Sequence, residues 1–176
     1  MIGLHYPAVI GLLLLLAEPL IGQSPVHTPQ GDPSVQDDTI YALASDSTAY
    51  PESDVITLLD DGIVRIEEDG RSSVTYRVVR QVLRRDAVEG LTEQELGYDA
   101  GHQTFTLNWA RVIDPDSGLV TDTLLHMEEL DVTFSRNSPI FTDNKRVRLS
   151  WGGVAAGRIL DYSYTVRDTA PILAGD

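Results

Sequence analysis

Residues 50–83, YPESDVITLLDDGIVRIEEDGRSSVTYRVVRQVL, decide the fold class. Short apolar runs alternate with clusters of Asp, Glu and Gly, and Asp-Gly recurs at Asp61-Gly62 and Asp69-Gly70. Asp-Gly between apolar runs is the strongest short-range hairpin signal, because both residues tolerate positive φ. The spacing predicts a strand in DVITLL, a turn at Asp60-Asp61-Gly62, a strand in IVRIEE, a turn at EDGR and a third strand in SSVTYRVVRQVL. In that last run Val74, Tyr76 and Val78 alternate with Thr75 and Arg77. A period of two marks a strand that is wet on one side.

The same grammar continues to the C-terminus. Phe105, Leu107 and Trp109 alternate in QTFTLNWARVI, Val147, Leu149 and Trp151 in VRLSWGG, and Leu160, Tyr162, Tyr164 and Val166 in RILDYSYTVRD. DPDSG, residues 114–118, reads as another turn, and Gly152, Gly153 and Gly157 as a bend between strands. AVEGLTEQEL and LLHMEELDV fit a short helix or a strand equally. Short strands joined by polar turns predict an all-β chain, an antiparallel β-sandwich. Its last strands are allowed to lie beyond Asp176, in which case Tyr162–Val166 would present an apolar edge.

Ahead of this domain the composition changes twice. GLLLLLA, residues 11–17, is too short for a membrane span of about 20 residues and is followed by Glu18-Pro19. It reads as the apolar region of a signal peptide over residues 1–22, with cleavage after Gly22, so the chain is expected to be exported to the periplasm, cell envelope or beyond; an uncleaved anchor is the alternative. Residues 23–49 are rich in Pro, Gln, Ser, Thr and Asp and read as a flexible linker, in which TIYALASD, residues 39–46, also fits a short element. The β-sandwich is expected over residues 50–168, with residues 169–176 as a tail or the start of a continuation.

Composition narrows function. The chain has 176 residues, 42% of them hydrophobic, with a net charge of −14 and no cysteine. That acidity opposes binding to nucleic acid and anionic lipid and leaves protein, peptide or glycan partners. The absence of cysteine removes disulfides, thiolate metal sites and cysteine nucleophiles from this chain. Glu52, Asp54, Asp60, Asp61, Glu67, Glu68 and Asp69 fall at predicted turns and strand ends, where carboxylates bond nearby backbone N–H groups and blunt edge pairing. Asp114, Asp116 and Asp122 imitate the start of a calcium loop, but Leu119 and Leu125 stand where such a loop needs glycine and glutamate. His27, His102 and His126 lie in separate segments without zinc spacing. LSWGG lacks the first glycine of a nucleophile elbow. Arg77, Arg80, Arg84 and Arg85 are expected to pair with the acidic turns, and Tyr162 with Tyr164 to line the core or a sandwich rim. No catalytic, metal or cofactor residue is assigned, and no membrane span is expected once the leader is removed.

Taken in order, YPESDVITLLDDGIVRIEEDGRSSVTYRVVRQVL, GYDAGHQTFTLNWARVIDPDSGLV and AAGRILDYSYTVRD resemble a bacterial domain of unknown function found N-terminal to transglutaminase-like domains in exported proteins. The resemblance covers residues 50–168. It implies an accessory β-domain, with any Cys-His-Asp chemistry carried by a following domain, so no catalytic residue transfers to this chain. The expected function is a non-catalytic exported module. The alternative is the N-terminal part of a transglutaminase-like cysteine peptidase or acyltransferase whose catalytic domain lies beyond residue 176.

Overall fold

Residues 50–83 form one hairpin, where the sequence suggests two successive turns. In the computed structural model, which describes residues 37–132 and 143–171, β1 (Val55–Ile66) passes straight through Asp60-Asp61-Gly62 and pairs along its length with β2 (Ser72–Val82). The partner strand explains the correction. From Leu59 to Ile66 each β1 residue meets a β2 residue in one constant register, so a turn at Gly62 would forfeit ladder bonds that the extended chain keeps. Gly62 lies opposite Tyr76, whose ring would be 3.3 Å from a Cβ at that position. The glycine therefore serves a close approach here and makes no turn. The second turn is as expected: Glu67 N–H donates to Arg71 O at 2.8 Å and Gly70 sits at φ 82°.

The predicted leader (1–22), residues 23–36 of the linker, His27 and the tail residues 172–176 lie outside the described residues. The end of the segment read as linker packs on the sheet: α1 (Asp37–Tyr41) buries Ile40 and Tyr41. After β2, a short 3-10 turn (Arg85–Ala87) and α2 (Val88–Leu91) lead to β3 (Glu93–Asp99), so AVEGLTEQEL holds both a helical turn and a strand. β4 (Gln103–Ile113), β5 (Val120–Asp131), β6 (Asn144–Trp151) and β7 (Ile159–Asp168) follow.

Among the described residues seven strands form a single antiparallel sheet, ordered β1-β2-β7-β4-β5-β6-β3. The all-β antiparallel expectation holds. The two facing layers, however, are halves of one curled sheet, a half-barrel, instead of the separate sheets of a sandwich. The corner is β5. Its first residues pair with Arg111–Ile113 of β4, and beyond a bulge near Leu124 the rest pairs with β6. Such strand-switching at bulges turns sheet corners.

The curl closes an apolar interior. Val78 and Val82 of β2, Val112 of β4, Val147, Leu149 and Trp151 of β6, and Leu160 and Tyr162 of β7 form one cluster, and Leu91 of α2 joins it. Trp151 meets Tyr162 edge-on at 5.7 Å between ring centroids, across the curl. The alternating sets Val147/Leu149/Trp151 and Leu160/Tyr162 thus face inward, as their period requires.

Trp109 breaks the pattern. A bulge at Asn108 advances the register between Leu107 and Trp109, so Phe105 and Leu107 stay inside while Trp109 turns to the outer face. A strict period of two would put all three on one face.

The β6–β7 connection is held by Gly153, at φ 62°, packed against Asp122. A Cβ there would lie 2.5 Å from an Asp122 carboxylate oxygen. Gly153→Ala is expected to cost about 1–3 kcal/mol, from left-handed backbone strain and displacement of Asp122. Thermal unfolding of the variant checks this, and an unchanged Tm would contradict it.

Candidate binding surfaces

Three regions concentrate polar or aromatic chemistry. The first lies on the outer face of the central strands. Asp161 of β7 is fully buried, and both its oxygens are engaged. Oδ1 accepts from Arg77 Nε at 3.1 Å and Trp109 Nε1 at 3.1 Å. Oδ2 accepts from Arg77 Nη2 at 3.0 Å and from the Tyr41 hydroxyl at 2.6 Å. Arg77 also lies 5.8 Å from the centre of the Trp109 ring, with Arg111 on the same ring at 5.3 Å. Burial, reinforced by Asp161, pushes the Tyr41 hydroxyl far above the usual tyrosine range, so it remains a donor. Around this carboxylate Asn108 donates to Ser163 Oγ and Thr165 Oγ1, and Thr75 and Thr165 share a hydroxyl contact. The layer is saturated: its carboxylate has no solvent access and four donors.

The second region is an open cleft of about 570 Å³ beside this layer. It lies between the segment Tyr41–Asp46, the Asp114–Asp116 turn and the Ala156–Arg158 connection. Ser45 and Gln81 clamp one wall by exchanging two hydrogen bonds, Ser45 N–H to Gln81 Oε1 at 2.8 Å and Gln81 Nε2 to Ser45 O at 2.9 Å. Arg158 Nη1 meets Asp114 Oδ2 at 2.7 Å, and that contact first of all holds the Asp114 carboxyl below its ordinary range. Asp46 is lowered by its bonds to Thr48 and Ala49. The cleft therefore offers ionised carboxylates and one guanidinium already committed to Asp114.

The third is a row of rings on the inner face. Tyr76, Tyr164, Phe105 and Tyr98 follow one another across β2, β7, β4 and β3, with centroids 4.9, 5.4 and 5.8 Å apart. Antiparallel pairing sets Tyr76, Tyr164 and Phe105 side by side on the neighbouring strands β2, β7 and β4, whereas Tyr98 meets Phe105 across the curl, since β3 is not a neighbour of β4 in the sheet. Burial, then Tyr76, pushes the Tyr164 hydroxyl up to about 12. Tyr98 donates to Glu129, which raises its pKa as well.

Comparison with known proteins places this architecture. The sequence signature of DUF3857, a domain of unknown function with a solved structure, matches residues 68–176. The chain belongs to the DUF3857 family. No curated protein matches it. Among solved structures, this DUF3857 chain is similar to a protein of Parabacteroides distasonis described as a candidate protease, with 13% identity and a TM-score of 0.59. The similarity covers 66% of this chain and 23% of that protein, so the chain spans about a quarter of the length of the protein it matches. At that identity the likeness concerns the fold.

The DUF3857 fold disperses most residues that the sequence singled out. Asp114 and Asp116 shape their own turn, with Gly118 N–H donating to Asp114 O at 2.8 Å, while Asp122 packs on Gly152 and Gly153. His102 and His126 are exposed and lie in different elements. Among the described residues no group of three or more His, Asp or Glu is placed to hold a metal ion. Arg84 pairs with Asp54 at 3.7 Å as expected of the acidic turns, but Arg77 goes to Asp161 instead. Tyr162 is core, whereas Tyr164 joins the ring row. Asp161 and Tyr41 were not foreseen. Their one trace in sequence is a carboxylate in the polar phase of RILDYSYTVRD, and its partner is set by strand pairing that sequence does not display.

Proposed function

We propose that this DUF3857 domain is a non-catalytic accessory or binding module of a transglutaminase-like envelope protein, exported through its N-terminal leader. The observation that carries the reading is the state of its most deeply buried carboxylate. Asp161 is occupied by structural donors on both oxygens, which leaves it no lone pair directed at a substrate and no route for proton exchange. The open cleft and the half-buried ring row suit recognition of a protein, peptide or glycan. Export is supported by the apolar run at residues 11–17.

A second reading has its own support. The structural relative described as a candidate protease is matched over 23% of its length, consistent with this domain standing at the front of a cysteine peptidase or acyltransferase whose catalytic residues lie past residue 176. In that enzyme a downstream thiol, activated by histidine, would do the chemistry.

The test has two parts. The purified chain should neither hydrolyse casein nor incorporate a fluorescent amine into it, and turnover above buffer would overturn the non-catalytic reading. The intact mass from the native source, set against 19.3 kDa, separates the two proposals. A mass lower by residues 1–22 supports an exported stand-alone module, and a much larger one the accessory front of a longer protein.

A further inference from the structure

The sheet has two outer strands, β1 and β3. β3 is short and carries exposed Glu93 and Glu95, with Arg146 and Arg148 bound to Glu95 at 3.0 Å from the neighbouring strand. Charge of this kind blunts an edge. β1 is different. It is twelve residues long and free of proline and lysine, and it exposes 61% of Val64 and 78% of Ile66.

Antiparallel geometry fixes which peptide groups of β1 are unpaired. Glu67 N–H donates to Arg71 O, so Glu67 faces β2. Alternation in the same register turns Arg65, Ile63 and Asp61 toward β2 as well. Asp60, Gly62, Val64 and Ile66 then direct their N–H and C=O outward. That row is uncovered among the described residues.

The side chains along this row are self-complementary. If a second β1 is laid antiparallel about a two-fold axis at Ile63, Asp61 of each copy falls opposite Arg65 of the other. Gly62 falls opposite Val64, and Asp60 opposite Ile66. Asp61 has no ion-pair partner among the described residues, and neither does Arg65. Cross-strand opposite charges are among the favourable pairings in sheets, and a two-fold axis forms both at once. We infer that the free edge of β1 pairs with the β1 edge of a second copy of this chain, antiparallel about Ile63, with two Asp61–Arg65 ion pairs setting the register. A contact limited to one strand pair is small, so the dimer is weak and concentration-dependent. This inference is independent of the proposed function and is read by association instead of turnover.

Sedimentation equilibrium of the chain between about 10 μM and 1 mM, the range in which a small interface operates, should show the average mass rising toward twice that of the monomer. Val64→Pro removes an N–H that points away from β2, so it should keep the fold and reduce association at least about tenfold. Asp61→Arg and Arg65→Asp should each weaken the dimer. The double variant Asp61→Arg/Arg65→Asp should restore it, as should a mixture of the two single variants. A chain that stays monomeric at 1 mM overturns the inference. So does a dimer whose strength ignores the charge exchange, whether or not Val64→Pro folds.

Discussion

Asp161→Asn is expected to lower the unfolding free energy by about 3–5 kcal/mol, the range for breaking a buried ion pair from one side. The substitution keeps the shape but removes a carboxylate charge paired with Arg77, whose side chain is 5% exposed and within 3.0 Å. It also puts an amide NH₂ where an acceptor stood, facing Tyr41 or Trp109 according to its orientation, so one of those donors loses its bond. Chemical denaturation with a linear fit reads the loss. Removing both charges in Arg77→Met/Asp161→Leu should recover a substantial part of it, because both charges of the pair then leave the interior together. Recovery should stop short of the parent, since Tyr41 and Trp109 would still lack an acceptor. A single variant within about 1 kcal/mol of the parent would mean that the layer is not the buried network its geometry describes.

Leu149→Ala is the second large effect, expected to cost about 2–5 kcal/mol. Leu149 is fully buried, on β6, and contributes to the same interior as Val78, Val112 and Leu160 on the opposite half of the curl. Truncation leaves a cavity between the two halves, and the neighbouring strands are held by ladders on both sides, which limits collapse into it. Because the interior is shared, unfolding of Leu149→Ala should remain one cooperative transition, followed equally by Trp fluorescence and by far-UV circular dichroism. Two separated transitions would show that the β5–β6–β3 half folds apart from the rest.

The two tryptophans illustrate how tertiary context assigns a side chain. Trp109 and Trp151 both occupy apolar phases of alternating runs. The bulge at Asn108 carries Trp109 outward, where its indole N–H finds Asp161. Trp151 keeps its phase and is 4% exposed in the core, where its N–H meets no acceptor among the described residues. Without the bulge Trp109 would fall on the inner face, away from that carboxylate.

The pattern of residues along the chain is enough to make it all-β and antiparallel. It marks the turns at residues 67–71 and 114–118, the inward sets on β2, β6 and β7, and the DUF3857 resemblance that the family comparison bears out. These are local matters: adjacent side chains on a strand alternate between faces, and turn residues act within a few positions. Long-range pairing is what makes Asp60-Asp61-Gly62 run straight, carries Trp109 to the other face, buries Asp161 under Tyr41 and joins the layers through β5 into one curled sheet. Each of those outcomes depends on which strand lies alongside. Arg77 and Asp161 are eighty-four positions apart and meet only because β2 pairs with β7. Pairing energies belong to both strands at once, so neither strand's sequence carries them alone.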